Sequence, residues 1–127
     1  MTTALSIVSS AYRATLEEQD DTILWLNSML ATSGVDVSIL LQRAAVNYAV
    51  HGQDASGLQI GKAELAHPPR FDDDLAALIA RGLDVYIVRE DLDLLGVADD
   101  CLVDGVRPVE RSAVPTLLDG FDHVWAW

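Results

Sequence analysis

Few side chains in this sequence have the types and spacing that chemistry requires. Cys101 is the only thiol and so the only soft nucleophile. It sits in Asp99-Asp100-Cys101, where adjacent carboxylates work against a thiolate. If this chain does covalent chemistry, Cys101 is the catalytic candidate; otherwise it is an incidental cysteine. His51, His67 and His123 are scattered, without the spacing of a helical metal pair, and one cysteine cannot complete a zinc set. No metal site or bound cofactor is expected. Asp72-Asp73-Asp74 suits the start of a helix, where carboxylates cap free N–H groups and oppose the dipole. Gly57-Leu58-Gln59-Ile60-Gly61-Lys62-Ala63 has one residue too few between its glycines for a phosphate loop. It also lacks the Ser or Thr after Lys62 that would hold magnesium. No Gly-x-Ser-x-Gly elbow is present.

The element that must position any site is Leu83 to Leu92. Val85-Tyr86-Ile87-Val88 reads as a buried interior strand, ended by the charged triplet Arg89-Glu90-Asp91. In an open α/β sheet, ligands gather past the carboxyl ends of the strands. Ala4 to Val8 reads as the first strand, followed by a loop holding Ser9, Ser10 and Tyr12. Val35 to Leu41 reads as the second strand, followed by Gln42, Arg43 and a short helix over 44–50. Ser9, Tyr12, Gln42, Arg43 and Arg89 are therefore the candidate ligand-binding residues. The hydroxyls of Ser9 and Tyr12 can equally satisfy backbone groups in a turn, which is their commoner use.

Between the first two strands, a helix is expected over 15–32. Leu16, Ile23, Leu26 and Leu30 form its apolar stripe, widened by Leu24 and Met29, and Gly34 lies past its end. Trp25 lies beside the stripe, in the core or at an interface. Residues 54–70 form a long irregular connection. A helix follows from Asp72 to near Arg81, with Leu75, Leu78 and Ile79 as its buried face. Beyond the organising strand come a short helix closed at Gly96, a strand over 102–109, a helix over 112–118 with Pro115 in its first turn, and a last strand over 124–127. Strands alternating with helices imply an α/β sandwich with a mostly parallel sheet of about five strands. A length of 127 residues fits one domain.

Composition narrows the partners. The net charge is −12, with eight Lys and Arg against twenty Asp and Glu. Such a surface repels phosphate backbones and anionic lipid, so neither nucleic acid nor a membrane is an expected partner. One unpaired cysteine and no evident secretory signal fit a reducing, cytoplasmic setting.

Several stretches together carry a resemblance. Leu83 to Val97 (LDVYIVREDLDLLGV), Gly105-Val106, and the ending Leu118-Asp119-Gly120-Phe121-Asp122-His123-Val124-Trp125-Ala126-Trp127 resemble the DsrE/DsrF/DsrH-like sulfur-relay family. Leu40-Leu41-Gln42, Val46 and Gly52-Gln53 are similar to its second strand and the helix after it. The strand followed by Glu-Asp-Leu, and the apolar ending with Trp, look closest to the DsrH/TusB branch. The resemblance implies a flavodoxin-like three-layer fold and a homo- or hetero-oligomer with related sulfur-relay subunits. Some members carry sulfur as a persulfide on one cysteine, which in the DsrE/TusD type lies at or just after the strand matching Val85 to Val88. Here Val88 and Arg89 occupy that position, so the carrier thiol is missing there. The resemblance therefore implies a non-carrier or partner-binding subunit of an oligomeric sulfur-relay complex. A persulfide sulfurtransferase using Cys101 and a small-ligand binding or regulatory domain are the alternatives.

Overall fold

The computed structural model describes residues 2–11, 22–54, 56, 57, 59–64 and 70–127. Five strands form one sheet: β1 (Thr3–Val8), β2 (Asp36–Leu41), β5 (Val85–Val88), β6 (Arg107–Val109) and β7 (His123–Ala126). Their order is β6-β5-β2-β1-β7, and every pairing is parallel. β3 (Gln59–Ile60) and β4 (Ala63–Glu64) form a separate antiparallel hairpin within the long connection after β2. The stretch resembling a phosphate loop thus overlaps a hairpin turn rather than a strand-to-helix turn.

Alternation along the strands divides the core in two. Val8, Val37, Ile39, Leu41, Val85 and Ile87 face the larger layer. That layer holds α1 (Thr22–Thr32), a 3₁₀ turn over Arg43–Ala49, and α2 (Phe71–Ala80). Leu5, Leu40 and Val88 face the other side, covered by α4 (Val114–Asp119) through Val114, Leu117 and Leu118. Helices therefore lie on both faces, and the chain is a three-layer, flavodoxin-like α/β sandwich. β5 is interior, as expected from its uninterrupted apolar run, and β2 holds the middle of the sheet. α3 (Arg89–Leu94) follows β5 directly and buries Leu92.

One expectation needs correction. The strand expected over 102–109 shrinks to Arg107–Val109. Leu102 instead forms an isolated antiparallel bridge with Val50, and a turn at Gly105 separates the two pairings. Gly105 has φ +93°, and a Cβ there would lie 2.8 Å from Cγ2 of Ile79 on α2, so both backbone and space demand glycine. The short helix expected over 44–50 is present as a 3₁₀ helix over Arg43–Ala49, with Ala45, Val46, Tyr48 and Ala49 buried. Of the helix expected over 15–32, residues 15–21 lie outside the described residues; Ile23 and Leu24 are buried and Trp25 is exposed. Among the described residues, no helix is long and apolar enough to cross a membrane.

Candidate functional site

The carboxyl ends of the parallel strands bring together two of the expected ligand-binding residues directly. β1 and β2 are neighbours, so Ser9 and Gln42 emerge side by side. Gln42 Nε2 donates to Ser9 Oγ at 2.9 Å, and the Gln42 N–H donates to the Val8 carbonyl at 3.0 Å. On the other side of β1, the Ser9 N–H donates to the Trp127 carbonyl at 3.2 Å. Tyr12 lies outside the described residues.

Arg43 comes next. Among the described residues it is the only one besides glycine with positive φ, at 51°. For a bulky side chain this conformation is costly and persists only where neighbours fix it. Asp91 fixes it: the Arg43 N–H donates to Asp91 Oδ2 at 2.7 Å. The Arg43 side chain stays exposed. The other Asp91 oxygen, Oδ1, accepts from Arg111 Nη2 at 2.6 Å. Arg111 also donates its backbone N–H to Glu90 Oε2 at 2.8 Å. Asp91 is only 4% exposed, a carboxylate buried with both oxygens engaged. It joins the ends of β2, β5 and β6 in one charged brace.

Arg89 is not joined to this cluster by any hydrogen bond or ion pair of the described residues. It pairs with Asp99, at the start of the 3₁₀ turn Asp99–Cys101, and that hydrogen bond pushes its guanidinium pKa up. Val88, the residue before it, is fully buried.

Cys101 ends that turn, exposed and free. Its Sγ lies 3.7 Å from Asp100 Oδ1, a thiol donating to a carboxylate. Its carbonyl accepts from the His51 N–H at 2.8 Å, beside the Val50–Leu102 bridge. His123 lies on β7, and His67 is outside the described residues. Among the described residues, no group of three or more His, Cys, Asp and Glu side chains is arranged to hold a metal ion. Asp72, also buried, accepts from the Gly52 N–H through Oδ2 at 2.9 Å, while its Oδ1 has no hydrogen-bond partner among the described residues.

Glu90, Asp91 and Arg111 were not among the expected site residues. The charged triplet after β5 pointed to the right strand end, but not to Asp91 as its centre. Arg111 lies on a later connection, and no local pattern links it to α3.

The fold is thus an all-parallel five-stranded sheet between helical layers, with the Ser9–Gln42 contact and the Asp91 brace past the carboxyl ends of its strands. Two solved structures share the fold. YchN from E. coli superimposes with a TM-score of 0.73 and 19% identity, covering 100% of both chains. MTH1491 from Methanobacterium thermoautotrophicum, described as a protein of unknown function, superimposes with a TM-score of 0.64 and 16% identity, covering 98% of this chain and 99% of that one. No family model and no curated protein sequence matches the chain.

Proposed function

We propose that this chain is a non-carrier, partner-binding subunit of an oligomeric DsrE/F/H-like sulfur-relay complex, closest to the DsrH/TusB branch. One observation carries the reading. The position that the resemblance marks for the carrier thiol holds Val88, fully buried, and Arg89, ion-paired to Asp99. The same strand ends hold a charge brace in place of a nucleophile. Its partners are then related subunits that do carry sulfur, in the cytoplasm. Co-purification from native cells tests this. Recovery of a DsrE/F/H-like chain with a carrier cysteine supports it, and recovery of no sulfur-relay chain overturns it.

The exposure of Cys101 favours a second reading, a persulfide sulfurtransferase. Persulfide labelling of wild type beside Cys101→Ser separates the two. Label that depends on Cys101, with sulfur transfer lost in a folded Cys101→Ser protein, replaces the first reading by the second. The exposed Arg43 guanidinium, anchored beside the Ser9–Gln42 contact, is what a small-ligand site would use.

A further inference from the structure

The two edges of the sheet are built differently. β6 is three residues long, contains Pro108, and begins at Arg107, whose guanidinium is held by Asp84 at 3.1 Å. A short strand, a proline and a charge are the features that keep an edge from pairing. β7, four residues long, has neither the proline nor the charge: residues 123–127 include no Pro, Lys, Arg, Asp or Glu.

Toward β1, β7 uses alternate residues. The Trp127 N–H donates to the Ile7 carbonyl at 2.9 Å, and its carbonyl accepts from Ser9. The parallel register repeats this at Trp125 and His123. The N–H and C=O groups of Val124 and Ala126 therefore point away from β1, and both residues are exposed. Their side chains lie on one face of the sheet and the aromatic ones on the other. His123 stacks on Trp125, ring centroids 6.4 Å apart and planes 10° from parallel. Trp127 Nε1 donates to Ser6 Oγ at 2.8 Å, and Ser6 pairs with Trp125 across β1 and β7, so Trp127 shares the aromatic face.

We propose that β7 is an association edge whose occupant is β7 of a second copy of this chain, antiparallel about a two-fold axis at Trp125. In that register Val124 faces Ala126 of the second copy, and each such pair exchanges both of its hydrogen bonds. Trp125 meets Trp125 of the second copy at a non-hydrogen-bonded position, with Cβ atoms about 4.5–5.5 Å apart. His123 comes opposite Trp127 of the second copy, and the reverse. The joint is a ladder of aromatic rungs that fuses two five-stranded sheets into one. Each chain carries −12, yet neither brings a charged side chain to the paired residues, so the acidic side chains stay outside the joint. The proposal rests on the geometry of this edge and stands independently of the sulfur-relay reading.

Sedimentation of the full chain at micromolar concentration tests it. Wild type is expected to sediment as an assembly of two or more chains, strengthened by added salt. Ala126→Pro removes only an N–H that points outward, so association is expected to weaken by roughly tenfold or more, an energetic loss of one lost contact set. Val124→Lys places a charge at the joint and is expected to do the same, which guards against Ala126→Pro failing to fold. In a Cys101→Ser background, Trp125→Cys is expected to give a disulfide-linked dimer on oxidation, because the two-fold brings that position against itself. A monomeric wild type overturns the proposal, as does an assembly untouched by both Ala126→Pro and Val124→Lys. An assembled Trp125→Cys protein that does not cross-link overturns the register.

Discussion

Asp91 and Cys101 are joined by a short stretch of chain and differ in almost every physical respect. Asp91 is buried, and its two oxygens hold the start of the 3₁₀ turn after β2 and the guanidinium that follows β6. Cys101 is exposed, and among the described residues its thiol has only a long contact to the carboxylate beside it. A reacting group needs neighbours that hold it and its partners in place. The chain places side-chain bracing at the strand ends, and leaves the Cys101 thiol without it on a turn held by its backbone and by the Arg89–Asp99 pair. The carboxyl edge is thus built to hold a fixed shape.

The sharpest way to break this contrast is Asp91→Ala. It orphans the Arg43 N–H and releases Arg111, so urea denaturation is expected to show a loss of about 2–4 kcal/mol. Arg111 is about half exposed (52%), so its ion pair is the smaller share and the buried N–H the larger. A loss below about 1 kcal/mol, the range of a surface ion pair, would remove Asp91 from the centre of the brace. Gly105→Ala asks whether the turn that delivers β6, and with it Arg111, is equally fixed. Positive φ and the approach to Ile79 lead us to expect a loss of about 1–3 kcal/mol in the same measurement. An unchanged midpoint would show that the turn relaxes.

Asp122 sharpens the contrast by separating hydrogen bonding from burial. Like Asp91 it accepts more than one hydrogen bond, from the Thr3 N–H at 2.9 Å and Thr3 Oγ1 at 3.2 Å, but it is exposed. Those bonds hold its pKa below the ordinary 3.8. A lowered folded-state pKa stabilises the fold above the unfolded value, and that stabilisation is lost as pH falls through the folded value. The stability difference between wild type and Asp122→Asn is therefore expected to be flat near neutrality and to shrink below pH 3.8. A difference that grows on acidification would reverse the sign. The smallest effect belongs to Cys101→Ser: a thermal midpoint shifted by no more than about 0.5 kcal/mol equivalent. A larger loss would mean that the thiol itself is held in place.

Legibility follows the range of the interaction. Val85 to Val88 and Ile39 to Leu41 announce themselves because strands covered on both faces are continuously apolar. Gly34 and Gly96 mark helix ends because both take up positive φ there. Residues 102–109 mislead because the apolar Leu102 serves a bridge to Val50, while the sheet pairing begins only at Arg107. In the candidate site, Ser9 and Gln42 were legible because successive strands usually lie side by side. Arg89 was placed at the right strand end, yet its side chain is taken by Asp99. The pairing of Asp91 with Arg111 was not legible, since it depends on the register of β5 against β6 rather than on anything local.

The position of β1 between β2 and β7 has a consequence for the order of assembly. β2 can dock on β1 after closing a modest loop. β7 reaches β1 only across nearly the whole chain, as the Thr3–Asp122 contact shows with its separation of 119 positions. Loop-closure entropy rises only logarithmically with length, so this late pairing costs little more in stability than a nearer one. Its cost is in time, because contacts between distant segments slow folding. Until β7 pairs, β1 is an open edge beside the apolar Leu5 and Val8, and it is the arrival of the chain's last strand that closes it.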